Sequence, residues 1–205
     1  MFKRFAALAV VTLIAGTASA DMMKAAGPVF VRGTIVTADA AALTVKATDG
    51  ATVTVALAPG FKVAALSKIG LDAIQANSFI GTAAKPGKGG VLEATEVHVF
   101  PESMRGLGEG HYGWDKGPNS SMTNGNVAKV GTIKHHAGRT LTVDYKGGTQ
   151  EIVVPANVPI VAFAEGSAAQ LVPGAHVFVI TMKTADGKLA ANQVAVGVGG
   201  VVPPM

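Results

Sequence analysis

The chain has 205 residues, 49% hydrophobic and 15% charged, a composition that excludes an intrinsically disordered protein. It contains no cysteine, so neither disulfides nor a cysteine-linked lipid anchor can hold it. Twenty-six glycines and 5% aromatic residues favour short strands and tight turns, and predict an all-β fold. Removing Lys3 and Arg4 lowers the formal net charge from +4 to +2, and the remaining basic residues are scattered. This pattern does not predict a nucleic-acid partner.

The first twenty residues predict a secretory signal peptide. Lys3 and Arg4 precede a short apolar run, 6–16, and Ala18-Ser19-Ala20 provides small residues for cleavage before Asp21. The apolar run is well short of the roughly 20 residues needed to span a bilayer, and no later run in the chain is long enough either. We therefore expect a periplasmic or secreted protein with no transmembrane segment in the mature chain.

Two segments of the mature chain repeat each other. The motif Gly33-Thr34-Ile35 recurs 98 residues later as Gly131-Thr132-Ile133, and Leu43-Thr44-Val45 recurs at the same spacing. Further matches follow at a spacing of 97 residues, including Leu92 with Leu189. The repeats predict two modules, 29–100 and 126–198.

Each repeat predicts five strands and one short helix. In the first repeat, β-branched and alternating residues predict strands at Val29–Val36, Leu43–Ala47, Thr52–Leu57, Ser78–Ala84 and Val91–Phe100. Ser67 is a candidate N-cap for a helix over Lys68–Gln75. This pattern predicts two tandem five-stranded, OB-like barrels, each with one short helix, joined by a long central loop, 101–125. A sheet-like sandwich is the alternative. Glycine-containing turns at Lys146-Gly147-Gly148 and Asp186-Gly187 support the same order in the second repeat.

Both repeats carry the same series of short motifs. Each has a Gly-Thr-Ile strand, a Leu-Thr-Val strand and a closing Val-x-Val strand, and the second has Leu171-Val172-Pro173-Gly174 before its last hairpin. This series resembles the domain-of-unknown-function 5666 family of exported bacterial proteins, as does the central run from His98 to Gly106. The first repeat departs from the pattern, with Ile74-Gln75-Ala76-Asn77 in place of Leu-x-x-Gly. The resemblance implies a small β-barrel and export, and it assigns no catalytic residue.

The central loop has no counterpart in either repeat. It holds the only tryptophan, Trp114, and one of two tyrosines, Tyr112, whereas flexible linkers lack such anchors. One interpretation is that both rings dock the loop onto the barrels as an interdomain brace. The alternative is that the loop forms a binding site, since long ordered loops often carry function.

A metal ion is one candidate ligand of the loop. His111 with Met104 and Met122 would suit a soft ion such as Cu(I), whereas His111 with Glu109, Glu102 or Asp115 would suit a harder divalent ion. His98 ends a strand at the start of the loop and could join them. None of these residues has a known ligand spacing, so the sequence predicts no certain cofactor.

The remaining histidines and the C-terminal tail are expected to have ordinary structural roles. His135 and His136 fall in a predicted hairpin turn and should be solvated. Glu96 and His98, two residues apart, should form an exposed pair on one strand face. The tail, 197–205, is expected to fray.

The chain contains no sequence motif of a known catalytic site: there is no cysteine nucleophile, no Gly-x-Ser-x-Gly elbow and no His-Glu-x-x-His helix. The sequence therefore favours an exported non-enzymatic protein that binds a metal ion, a small ligand or an envelope protein. The alternative is a structural or protein-interaction module of the cell envelope.

Overall fold

The computed structural model describes residues 27–132 and 138–205, which form the predicted all-β fold. The strands are β1 Val29–Ala38, β2 Ala42–Ala47, β3 Thr52–Lys68, β4 Phe79–Pro86, β5 Leu92–Phe100, β6 Gly110–Gly113, β7 Ser121–Thr132, β8 Gly138–Tyr145, β9 Gly148–Pro155, β10 Ile160–Glu165, β11 His176–Lys183 and β12 Leu189–Gly197. The predicted signal peptide, His135 and His136 lie outside the described residues. Within those residues, no helix has the length and apolar character to cross a membrane.

The predicted short helices are single 3₁₀ turns in the structure. The expected helix over 68–75 is reduced to Leu71–Ala73, because Lys68 still pairs with Val161 as the last residue of β3. The equivalent turn of the second repeat, Ala168–Gln170, begins with a capping box between Ser167 and Gln170. Two further 3₁₀ turns cover Lys88–Gly90 and Glu102–Met104.

Five strands close into a first barrel, which we call ring A. Its order is β1-β2-β3-β12-β11, and β11 pairs back with β1. The closing contact between β12 and β3 is parallel, whereas the other pairs are antiparallel. Its interior is filled by alternate aliphatic side chains, among them Ile35, Leu43, Val55, Val179 and Val194.

Five other strands close into ring B, in the order β7-β8-β9-β5-β4. The contact between β9 and β5 is parallel, and β4 pairs back with β7. Its interior contains Ile80, Val97, Val127, Leu141 and Ile152, all of them fully buried. Ring B therefore has the same strand order and pairing directions as ring A.

The connectivity differs from the tandem arrangement that the sequence predicts. Ring A combines the first three strands of the first repeat with the last two of the second, and ring B combines the complementary strands. The exchange follows β3, which is 17 residues long and continues in extended form past Gly60 to Lys68, where it also pairs with β10. Equivalent strands carry equivalent patterns, so the repeat identifies them without showing which copy each one joins.

The two rings are joined at a common seam. Strand β10 pairs antiparallel with the end of β3 and parallel with Val97–Val99 of β5. A third apolar cluster fills the seam, with Leu66, Val161 and Phe178 among its buried members. Met205 belongs to it and is 4% exposed, so the prediction of a frayed tail is wrong.

The region predicted as a central loop, 101–125, contains the whole of β6 and the first residues of β7. Residues 101–120, which we call the central segment, include β6, and β6 pairs with the start of β7. Residues 121–125 belong to β7, where they also pair with β4. The central segment is therefore attached along one edge of ring B and lies over the seam.

Candidate functional site

A pocket of about 360 Å³ lies at the seam, between the outer faces of the two rings and the central segment. Its walls are mainly aromatic and apolar. Six of its lining residues are Phe100, Tyr112, Trp114, Met122, Phe163 and Phe178. They come from both rings, from β10 and from the central segment, so no single repeat could form the pocket.

The pocket residues lie on the strand faces that point away from the ring interiors. On β5, Val97 faces the interior of ring B, whereas His98 and Phe100, on the opposite face of the strand, line the pocket. On β11, Val179 faces the interior of ring A, and Phe178 and Ile180 line the pocket. The two-residue alternation of the strands thus supplies each ring with an apolar interior and an apolar outer patch.

The aromatic side chains form a packed wall. The Phe100 and Phe163 rings are stacked with centroids 4.8 Å apart, and His98 meets Phe163 edge-on at 5.9 Å. On the central segment, Tyr112 and Trp114 meet edge-to-face at 6.4 Å. Such pairs add about 0.5–1.5 kcal/mol beyond area burial and fix ring orientation, so the wall is preformed.

A small polar patch interrupts this wall beside Gly81 of β4. A Cβ placed on Gly81 would lie 2.6 Å from Asn124 Oδ1, 3.1 Å from Phe100 and 3.3 Å from His98 Nδ1. Asn124 is 7% exposed and His98 is 2% exposed. Only glycine leaves room for these side chains to cover the strand so closely.

The polar patch includes atoms without hydrogen-bond partners. Asn124 Nδ2 donates to the Leu107 carbonyl at 3.2 Å and to the Tyr112 hydroxyl at 3.4 Å. Asn124 Oδ1 has no partner within residues 27–132 and 138–205. Because buried polar atoms are nearly always satisfied, an orphan at a pocket wall indicates a place where a ligand can bond.

His98 is paired with a buried carboxylate. Glu96 Oε1 lies 3.4 Å from His98 Nε2, and both side chains are almost fully buried. The contact is too poorly aligned to count as a hydrogen bond. The other Glu96 oxygen lies 3.7 Å from Lys116 Nζ on the central segment. The shared strand face was predicted correctly, but the predicted exposure was wrong, because the second ring and the central segment cover that face.

Burial also affects Tyr112, at the pocket rim. Partial burial raises the pKa of its phenol above the usual value near 10. Its hydroxyl oxygen accepts the hydrogen bond from Asn124 Nδ2.

Strong contacts hold the central segment over the pocket. Trp114 packs on Phe30 of β1 at 4.9 Å, as expected for an anchor of the loop. Asp115 accepts two hydrogen bonds of 2.7 Å from Arg32, whose guanidinium also lies 5.0 Å from the Phe178 ring. The segment is thus tied to ring A by its tip and to ring B by β6.

Arg105 makes a second set of contacts at the start of the segment. Its guanidinium bonds to Glu102 at 2.6 Å, to the Asn77 carbonyl at 3.0 Å and to the Asn126 side chain. The paired guanidinium lowers the pKa of Glu102. These bonds join the segment to the turn before β4 and to β7.

The five predicted metal ligands occupy different surroundings. His98 and Met122 line the pocket, whereas Met104 lines a separate, more polar groove. Of the remaining two, His111 Nδ1 lies 2.8 Å from Thr123 Oγ1, and Glu109 accepts a 3.1 Å hydrogen bond from the Lys146 backbone. Only His98 and Met122 are therefore brought to the pocket.

The described residues contain no group of three or more His, Cys, Asp or Glu side chains placed to hold a metal ion. His111 stacks on Tyr145 at 6.0 Å, on the side of the sheet facing the β8–β9 turn. Alternation along β7 separates it from Met122, because its partner Thr123 faces the opposite side. Metal binding stays a prediction.

Several pocket residues were not identified as site residues from the sequence. Phe100 could have been identified, since it continues the face of Glu96 and His98 on β5. Phe163 and Phe178 had no such signal, because the strand exchange brings them to the site.

Comparison with protein-family models, with curated proteins and with solved structures finds no match to this chain. The resemblance to exported barrel proteins therefore remains a prediction from the motifs.

Proposed function

We propose that the protein is an exported, non-enzymatic binding protein that holds a small, largely apolar organic ligand in the seam pocket. The carrying observation is the pocket itself, about 360 Å³ in volume, with aromatic walls and a few buried polar atoms. Small-ligand sites have this character, with volumes of about 300–1,000 Å³.

The charge distribution favours an uncharged ligand. The described residues that line the pocket include no Asp, Glu, Lys or Arg side chain. Arg32, beside the Phe178 ring, is already paired with Asp115, and Glu96, beside His98, is paired with Lys116. A charged ligand would lose its hydration without gaining a counter-ion, which is costly.

We also propose a finer description of the fold. Rings A and B have the strand order of an OB-like barrel, in which the third and fifth strands are parallel. We regard them as two OB-like barrels that have exchanged their last two strands.

The proposal of export rests on the predicted signal peptide. Mass spectrometry of the periplasmic fraction tests this proposal, because the mature chain should begin at Asp21.

A binding titration tests the main proposal. The neutral fluorescent probe N-phenyl-1-naphthylamine should bind the mature chain saturably at one site. Ala195→Phe, which fills the pocket from β12, should abolish this binding, whereas Ala185→Phe in the exposed β11–β12 turn should not. At a hundredfold excess over the dissociation constant, a ligand should raise stability by about 2.7 kcal/mol. The absence of saturable binding, or equal binding by the Ala195→Phe variant, contradicts the proposal.

The second candidate function is a brace that presents the protein to an envelope partner. The Arg32–Asp115 pair and the Trp114–Phe30 contact favour it, because both join the central segment to ring A. Deleting 101–124 cannot separate the two functions, since 121–124 pair within β7 and β4. The Ala195→Phe variant does separate them, because it fills the pocket and alters neither residue of the Arg32–Asp115 pair.

A further inference from the structure

The chemistry of the ligand follows from the polar patch at Gly81. Asn124 Oδ1 and His98 Nδ1 both lie over this glycine, on the side of β4 that faces the seam. Both side chains line the pocket. A ligand that reaches this part of the wall therefore meets two polar side chains within an otherwise apolar surface.

The amide presents an acceptor to the ligand. Both Asn124 donor contacts use Nδ2, which bonds to Leu107 and Tyr112 and thereby fixes the orientation of the amide. Oδ1 is left facing Gly81 and has no partner among the described residues. Only a hydrogen-bond donor can satisfy it.

The imidazole presents an acceptor as well. Glu96 lies 3.4 Å from Nε2, and a carboxylate next to this nitrogen favours the tautomer with hydrogen on Nε2. Nδ1, on the Gly81 side, then carries a lone pair and accepts. The two atoms that face Gly81, Asn124 Oδ1 and His98 Nδ1, are then both acceptors.

The rest of the pocket selects the body of the ligand. Phe100, Phe163 and Phe178 offer ring faces and edges, and Met122 and Met182 offer adaptable thioethers. These groups favour a planar aromatic body over a flexible polar one.

We propose that the pocket binds a neutral aromatic compound of the phenol class, whose hydroxyl donates to Asn124 Oδ1 beside His98. This inference rests on the proposed function and specifies the class of ligand for the same pocket. An ether or hydrocarbon of the same shape would leave Asn124 Oδ1 without the hydrogen bond that the phenol supplies, and should bind about tenfold more weakly.

A matched ligand pair tests the inference on the mature chain. The dissociation constants of 4-ethylphenol and 4-ethylanisole are measured by displacement of N-phenyl-1-naphthylamine. The expected result is a preference of about tenfold or more for the phenol. Equal affinities, with the probe still bound and displaced, overturn this inference and leave the proposed function standing. Failure of the probe to bind overturns the proposed function itself.

Two variants test whether Asn124 causes the preference for the phenol over the ether. Asn124→Leu should reduce the phenol-to-ether ratio to near one, while Asn192→Leu, the same change on the exposed rim, should leave it unchanged. If Asn124→Leu does not fold, His98→Leu replaces it and should reduce the ratio in the same direction. A ratio that survives in the folded variant overturns the assignment.

A cationic ligand tests whether the pocket prefers a neutral compound. Aromatic walls also attract cations, so 4-methylbenzylamine is measured in the same displacement assay. The phenol should bind more tightly than this amine. Tighter binding of the amine would overturn the choice of a neutral ligand.

Discussion

Asp115 of the central segment accepts two 2.7 Å hydrogen bonds from the guanidinium of Arg32 on β1. The pair joins residues 83 positions apart and lies beside the pocket wall at Phe178. Such a bidentate pair fixes the geometry of the segment as well as adding stability.

Asp115→Asn should lower the free energy of unfolding by about 0.5–1 kcal/mol, because it removes one charge of a partly exposed pair. The loss should shrink as salt is raised, since ions screen the wild-type pair. Urea unfolding at low and high salt measures both effects. Glu102→Gln is the control, because the Glu102–Arg105 pair is local and exposed. A larger loss in the control would contradict the bridging role of Asp115.

Gly81→Ala should close the polar end of the pocket. The new methyl group would lie 2.6 Å from Asn124 Oδ1 and must displace it, at a cost of about 1–3 kcal/mol of stability. Binding of the fluorescent probe should weaken as well. Gly113→Ala is the matched control, because a Cβ there meets no atom within 4 Å. Thermal unfolding and probe titration of both variants would show whether the close approach at Gly81 has been identified correctly.

The sequence predicts the local structure well, because local structure depends on local pattern. Leu43 and Leu141, matched as repeat equivalents, occupy the same position in the interiors of rings A and B. The bounds of β1, β2, β4 and β5 follow from alternation and glycine turns in the same way, whereas β3 continues to Lys68, well past the predicted end at Leu57. The strand exchange could not be predicted, since equivalent strands of the two repeats present the same apolar face to either ring.

The site was predicted less completely than the fold. The pattern placed Glu96 and His98 on one face, but their burial depends on Phe163, from the other repeat, and on Lys116. Met205 lines the pocket although nothing in the tail indicates packing. What covers a strand face depends on tertiary connections, and periodicity contains no information about them.

Tyr112 predicts a pH dependence of stability. Its folded-state pKa is raised by burial above the usual value near 10, so the folded protein favours the neutral phenol. Its contribution is fully present below pH 10 and is lost as the pH rises through the folded-state pKa. Urea unfolding from pH 8 to 11 should show a decline in stability that Tyr112→Phe reduces. An identical decline in both proteins would contradict the assignment.

The strand exchange predicts that neither half of the chain folds alone. A cut between Gly117 and Pro118 separates β1–β6 from β7–β12, and each half then lacks strands of both rings. Without β11 and β12, the edges of β1 and β3 in ring A lose their partners, and ring B loses β7, β8 and β9 from the other half. Unpaired edges and exposed interiors favour reassociation.

Residues 21–117 and 118–205, expressed separately, should each be largely unfolded by circular dichroism and should regain the strand signal when mixed. The mixture should elute as one heterodimer in size-exclusion chromatography. It should also bind the fluorescent probe, because the pocket walls come from both halves. Two barrels in tandem would behave differently, because each half would fold as a monomer and would not associate with the other half. Halves that stay separate after mixing and do not bind the probe together would contradict the exchanged topology.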